Sequence, residues 1–375
     1  MGERGCDIAI LTSGRFHVLD LARELEALGH RVRFYSLLPP WRLSARGLPA
    51  RRGVWLGVGA APLFFAQRFV DGPLRERLGD LTREAIDRTA ALLLRRCDVF
   101  IGMSGMSLHT AKTARSRFGA LTILERSSMH IDLQLATLGA PTGTPIARRE
   151  RLEYDAVDVI SIPSMLVENS FRAKGFPPSR LARNPLGVDL TEFPYESGPS
   201  PNGAPLRAVF AGTFSRQKGA DLMVSALATL PEVALTHVGA TGDVPPATLL
   251  NLNHRAPVPQ AELSGFYRDA DVLLLPSRQD GFGMVMSQAL ASGCHVIASD
   301  HTGAPDLAVL TGGDRVTLVP AGDSDALASA LRTASDRRDQ LRADRRTAPT
   351  WRDDLSWRAY AERYDAMIRA HLRAR

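Results

Sequence analysis

Residues 275–306, LPSRQDGFGMVMSQALASGCHVIASDHTGAPD, read as a strand, a glycine-containing loop, a helix and a second strand. Gly281 and Gly283 let the backbone come close to a ligand, and the amides that open the following helix can hold a phosphate or a hydroxyl group. Asp280 stands just ahead of the helix and Gln288 lies eight residues on. Taken as helix at about 1.5 Å per residue, that interval is roughly 12 Å. A carboxylate and an amide so spaced can grip both ends of an extended ligand. An N-capping Asp and a solvated Gln fit the same letters.

A second strand-loop-helix precedes it, VFAGTFSRQKGADL at residues 209–222. Its basic side chains, Arg216 and Lys218, stand in the loop where the helix begins, with Thr213 nearby. Fixed cations at that place suit a leaving group that gains negative charge. A Lys-Gly before a helix also occurs as a plain surface turn.

Outward from these segments the chain alternates strand and helix patterns. Residues 7–12 read as a buried parallel strand. After the loop Ser13-Gly14-Arg15 come Val18, Leu21, Ala22, Leu25 and Leu28 at helical spacing, and residues 31–36 form a second strand. This β-α-β unit seeds a doubly wound parallel sheet. Further strands are expected at 98–102, 120–124 and 157–162, then at 208–211, 234–238, 272–276, 296–299 and 316–319. Helices are expected at 219–228 and 283–291. The segment FPYESGPSPNGAP, residues 193–205, has linker composition. The expected organisation is a first Rossmann-like domain over 1–190, a linker over 191–205, a second Rossmann-like domain over 206–354, and a terminal helix over 355–375 that returns to the first domain. Two such α/β domains have their ligand cleft at the carboxyl ends of the strands.

The 375 residues suffice for two domains, and 45% hydrophobic content supplies their cores. Cys6, Cys97 and Cys294 are sparse and far apart, which argues against a disulfide framework or a zinc site. The polar start lacks the pattern of a secretory signal peptide, and no apolar run reaches the roughly 18 residues of a membrane span. A cytoplasmic location is expected. Residues 54–66 are the most apolar stretch. They read first as a buried loop or helix and second, flanked by Arg51, Arg52 and Arg68, as an interfacial segment.

The net charge of +6 is uneven. Residues 1–180 hold 26 Lys and Arg against 18 Asp and Glu, and residues 181–375 hold 20 against 22. The first half therefore suits an anionic acceptor or the periphery of an anionic membrane. The dispersed arginines and the lack of a recognition module argue against nucleic acid.

The 275–306 segment resembles the C-terminal signature of family 4 glycosyltransferases, with Asp280 where the family has its first Glu, Gln288 at the second, and His295 where proline is usual. The 209–222 segment is similar to the family's pyrophosphate-binding loop: Lys218 falls on its lysine and Thr213 replaces an arginine. RNPLGVDLTEF at 183–193 resembles the hinge segment, FYRDAD at 266–271 a helix ahead of the site strand, and LSWRAYAERY at 355–364 the terminal crossing helix. In the first half, Gly14-Arg15-Phe16-His17 resembles the family's glycine loop, and Glu125-Arg126-Ser127-Ser128-Met129-His130 an E-R-G-S-x-H-I string of one bacterial branch.

The resemblance implies an α/β protein of the GT-B fold, with two Rossmann-like domains whose parallel sheets face a central cleft. It implies a retaining glycosyltransferase that moves a sugar from a nucleotide diphosphate donor to a small-molecule, glycan or lipid-linked acceptor. Neither metal nor other cofactor is expected. The expected catalytic residues are Asp280, Lys218, Arg216 and His130. Gly14, Thr213, Gly281, Phe282, Gly283, Met284 and Gln288 would bind the donor, and Arg15, His17, Glu125 and Arg126 would face the acceptor. Two alternatives remain open. One is another enzyme on this scaffold, such as a nucleotide-sugar epimerase or an inverting transferase. The other is a non-catalytic nucleotide-sugar-binding partner of an active transferase.

Asp323-Ser324-Asp325 has a metal-binding D-x-D form, but it opens a helix after a strand, so capping accounts for it. His237, His254, His295 and His301 show no ligand-like spacing and are read as surface or packing residues. Trp351 and Trp357 are read as anchors of the terminal helix.

Overall fold

The computed structural model describes residues 5–196, 205–245 and 249–375. The chain divides into two compact units. One holds the residues up to Ile162 with Val167–Asn184 and Tyr360–Arg375; the other holds Pro163–Leu166 and Pro185–Ala359. Most of the stretch read as a linker, residues 197–204, lies outside the described residues.

In the first unit seven strands form one sheet: β1 (Asp7–Leu11), β2 (Arg31–Ser36), β3 (Gly53–Trp55), β4 (Val99–Met103), β5 (Leu121–Glu125), β6 (Val159–Ile162) and β7 (Leu181–Arg183). Their order is β3-β2-β1-β4-β5-β6-β7, and every neighbouring pair is parallel. Ile8 of β1 lies opposite Val32 of β2 on one side and Val99 of β4 on the other. Ile8–Leu11 of β1 and Val99–Ile101 of β4 are all buried, as befits strands in a sheet that helices cover on both faces. The helix His17–Ala27 supplies one cover, burying Val18, Leu19, Leu21, Ala22 and Leu25.

The second unit repeats the plan with β8 (Leu206–Ala211), β9 (Val233–Val238), β10 (Leu252–Arg255), β11 (Val272–Leu275), β12 (His295–Ser299) and β13 (Val316–Val319). The order is β10-β9-β8-β11-β12-β13, again all parallel. In both sheets the strand order reverses beside the first strand, at β1/β4 and at β8/β11. In open α/β sheets ligands bind outside the carboxyl ends of the strands at such a switch point.

Three strands escape the sequence pattern, β3, β7 and β10. All are edge strands of three or four residues, and each carries polar or exposed positions, so none shows the apolar run of a buried strand. The segment at 54–66 differs from its first reading. It ends β3 and continues as the helix Gly57–Ala66, in which only Gly57 and Ala60 are buried. The terminal helix runs Trp357–Arg373, and a 3₁₀ turn, Thr350–Leu355, precedes it. Asp323 caps the helix Ser324–Asp336, its Oδ1 accepting from the amides of Asp325 (3.0 Å) and Ala326 (2.8 Å).

Candidate functional site

In the second unit the two segments singled out from the sequence leave adjacent strands, β8 and β11, at the switch point. Their loops are stitched together. The Arg278 amide donates to the Gln217 carbonyl at 2.9 Å, and the Arg278 guanidinium makes paired bonds of 2.7 and 2.8 Å to the Asp221 carboxylate. Burial alone would raise the Asp221 carboxyl; the Arg278 bonds hold it below its ordinary value. Gly219, at φ 75°, turns the first loop into the helix Ala220–Leu227, and a Cβ there would sit 2.2 Å from the Pro276 carbonyl oxygen. Only glycine permits that approach.

The stitching delivers Lys218 to Asp280, with Nζ to Oδ2 at 2.5 Å and both side chains partly exposed. An ammonium has three donors and a carboxylate two oxygens, so each group keeps capacity for a ligand beyond their mutual bond. Gly283, at φ 81°, caps the helix Met284–Ala291, and a Cβ there would lie 2.5 Å from the Leu275 side chain. Gly281 is fixed from behind, its carbonyl accepting from Ser164 Oγ at 2.6 Å. Phe282 is buried against Gly303, and Met284 is half-buried at the opening of the helix. Thr213 is exposed on the first loop. Arg216 is exposed too, its guanidinium 3.6 Å from Asp221.

Gln288 does not lie as the sequence suggested. Its neighbourhood is buried, and its Oε1 accepts from the buried Tyr267 hydroxyl at 3.2 Å. Nor is the 280–288 interval all helix: residues 280–283 form the turn, so only about four residues, roughly 6 Å of rise, separate Met284 from Gln288 along the axis.

In the first unit, Gly14 and the exposed Arg15 follow β1, and His17 opens the next helix. His17 Nε2 lies 2.8 Å from Oε2 of Glu125, the last residue of β5. The other oxygen of Glu125 accepts from the Tyr364 hydroxyl at 2.7 Å, and the Tyr360 hydroxyl is 3.5 Å from Oε2. His17, Glu125 and the tyrosine hydroxyls thus form one buried polar cluster from three distant parts of the chain. With Nε2 donating to the carboxylate, Nδ1 is the ring nitrogen left for a ligand.

Two neighbours of Glu125 turn inward instead. Arg126 is buried, pairs with Glu150 at 2.8 Å and donates to the Met129 carbonyl and to Gln134 Oε1. His130 is buried among Tyr154, Phe171 and Phe176, and its Nδ1 accepts from the Asp132 amide at 3.3 Å, capping the helix Ile131–Thr137. Burial lowers its imidazole to about 4, against opposition from Asp132. Both residues, expected on the acceptor side and in catalysis, are buried here and engaged by partners of their own unit.

Tyr360, Tyr364, Ser164 and the Asp221–Arg278 pair were not singled out from the sequence. The tyrosines had a signal: a spacing of four puts both hydroxyls on one face of the terminal helix. Ser164 had none, because the residue it holds is 117 positions away.

Residues 14–187 match the family described as glycosyl transferase 4-like domain, and residues 205–336 match glycosyl transferases group 1. Over 137 residues, 31% of this chain and 32% of the relative, the sequence is 34% identical to a D-inositol 3-phosphate glycosyltransferase of Arthrobacter sp. strain FB24. The chain spans about half or less of the length of the curated relatives it matches. In fold it is similar to a sucrose-phosphate synthase from Thermosynechococcus elongatus, with a TM-score of 0.71 at 19% identity, covering 98% of this chain and 100% of that one. It is also similar to the Anabaena protein HepE solved in complex with UDP-glucose, with a TM-score of 0.67 at 13% identity, covering 97% and 100%. The two family matches, spanning both parallel-sheet units, and the GT-B fold of these neighbours lead to one assignment: this chain belongs to the family 4-type glycosyltransferases.

Proposed function

We propose that the protein is a retaining, metal-independent glycosyltransferase of the cytoplasm. It takes a sugar from a nucleotide diphosphate donor held by the second unit and passes it to an acceptor held by the first. The observation that carries the reading is the Lys218–Asp280 pair, set between two glycine turns at the switch point of the second sheet. When a donor binds, its diphosphate draws on the two remaining donors of Lys218, with Arg216 and the opening amides of the helix Met284–Ala291 adding positive potential. Asp280 then accepts from hydroxyls of the sugar. Cations already in place neutralise the departing nucleoside diphosphate, so no metal is required for that step. The HepE structure, solved with UDP-glucose, supports a nucleotide-sugar donor.

In the retaining route the acceptor hydroxyl attacks from the face the nucleotide leaves, and a donor phosphate oxygen takes its proton. That chemistry needs no protein nucleophile. The His17–Glu125 cluster is the candidate for orienting the acceptor hydroxyl, through the free Nδ1 of His17.

The test has three parts. A thermal-shift screen against UDP, GDP, ADP and dTDP sugars identifies the donor, because a ligand that binds the folded state raises its melting temperature. NMR of the transfer product should show the donor's anomeric configuration kept, and an inverted product overturns the retaining reading. Transfer should continue in EDTA; its loss there overturns metal independence.

A further inference from the structure

We propose that the first unit docks on an anionic lipid bilayer through the helix Gly57–Ala66 and the aromatic and arginine residues around it. The helix, GVGAAPLFFA, contains no polar side chain, yet eight of its ten residues are not buried. A helix that is apolar all round is ordinarily covered by protein or lipid. This one packs one side against the helix Gly72–Leu93, where a Cβ on Gly59 would sit 2.1 Å from Thr89 Oγ1. The other side is open: Val58 is 82% exposed, Phe65 53%, and Phe69 just beyond the helix 85%. Large apolar groups gathered in one place mark an interaction surface, where single ones do not.

The surroundings identify the occupant. From residue 41 to residue 70 there are five arginines and no Asp or Glu. Arg52 is tied to Glu26 at 2.8 Å, but Arg42, Arg46, Arg51 and Arg68 make no ion pair among the described residues. The Arg68 guanidinium stands 5.4 Å from the Phe65 ring centroid, and Arg42 stands 5.5 Å from Trp41. Rings that enter the acyl boundary beside guanidiniums at the level of anionic headgroups suit both halves of a bilayer interface. At about 15 Å the helix is too short to cross the membrane, so it lies in the interface. A second copy of the chain is a poor occupant, since a two-fold contact would set arginine against arginine.

The patch also has a position. Phe16 and Trp41 follow β1 and β2, and Trp55 is the last residue of β3; all three are exposed. They therefore sit at the carboxyl end of the sheet, the end that carries Gly14 and His17. The consequence, which rests on the transferase reading, is that the acceptor is carried by the lipid surface rather than free in solution.

The test is co-sedimentation of the full chain with vesicles of phosphatidylcholine alone and of phosphatidylcholine with about 30% phosphatidylglycerol. The bound fraction should be at least fivefold higher on the anionic vesicles. It should fall at least fivefold in a Phe65→Ser/Phe69→Ser variant and in an Arg51→Glu/Arg68→Glu variant whose melting temperatures match the parent. Equal binding to both vesicles, or unchanged binding by the Phe65→Ser/Phe69→Ser variant, overturns the proposal. So does a dimer seen by light scattering that the same variant dissolves. Vesicle binding is read without transfer, and donor binding is read by thermal shift without vesicles, so failure of one reading leaves the other standing.

Discussion

The two polar clusters at the carboxyl ends of the two sheets are built in opposite ways. In the second unit Lys218 and Asp280 come from two short loops after adjacent strands, and each loop is a contiguous string whose glycines, cation and carboxylate stand together in the sequence. In the first unit the cluster joins His17, Glu125 and two tyrosines of the terminal helix, the last 239 positions from the carboxylate it meets. A site made of loops is fixed by local turn chemistry; a site closed by a distant helix is fixed by packing. Substitutions in the first kind should act on chemistry with little cost to stability. Those in the second should show in both.

The sharpest way to break that contrast is Lys218→Ala. If Lys218 stabilises the departing diphosphate as proposed, its loss should lower kcat by about 10² or more. Lys218 is partly exposed, so the melting temperature should hardly move. Near-normal turnover would remove Lys218 from the mechanism, and a large loss of stability would show that its pairing with Asp280 is structural after all.

Next in size is Glu125→Gln. An amide keeps the volume but loses the charge-assisted bonds to His17 and Tyr364. The expected outcome is about a tenfold fall in kcat/KM for the acceptor with donor KM unchanged, together with about 1–3 kcal/mol of stability lost in denaturant titration. Tyr364→Phe should reproduce a part of both effects. A variant that loses stability but transfers normally assigns the cluster to folding alone.

This difference in construction also explains what the sequence revealed. The central strands, the helix after β1 and the cation–carboxylate loops were legible because each is a local pattern, an apolar run or a turn string. The edge strands β3, β7 and β10 were not, since an edge needs no continuous apolar run. The directions of the side chains in the string at 125–130 were not legible. Its first residue faces the cluster while Arg126 and His130 turn into the core, and letters in a loop carry no periodicity to say which way they point. Gln288 was opaque for a similar reason. The helix MVMSQALA is apolar or small at every other position, so no face stands out from the pattern.

His130 gives the pH test of its inward placement. Its ordinary imidazole value is 6.5 and burial lowers it to about 4 in the folded protein, so the unfolded chain binds the proton more readily. The stabilisation is complete above about 6.5 and is lost as pH falls toward 4. A shift of that size corresponds to at most about 3 kcal/mol. Melting of the parent should therefore decline over that window more steeply than melting of His130→Asn, which retains a capping side chain. Parallel curves would mean that the ring is open to protons in the folded state.

The smallest expected effect comes from Tyr267→Phe, which bears on whether the second unit is purely a loop-built site. Tyr267 donates to Gln288 from the helix Gln260–Asp269, so Gln288 is a donor-side candidate held by packing. Deleting the hydroxyl leaves a buried amide oxygen without that donor, at a cost of about 1–2 kcal/mol in denaturant titration. If Gln288 also reaches the nucleotide, its released amide should raise the donor Kd a few-fold in calorimetry while Lys218 and Asp280 act as before. If Kd stays constant as stability falls, Gln288 belongs to the core and the donor is held by the two loops alone.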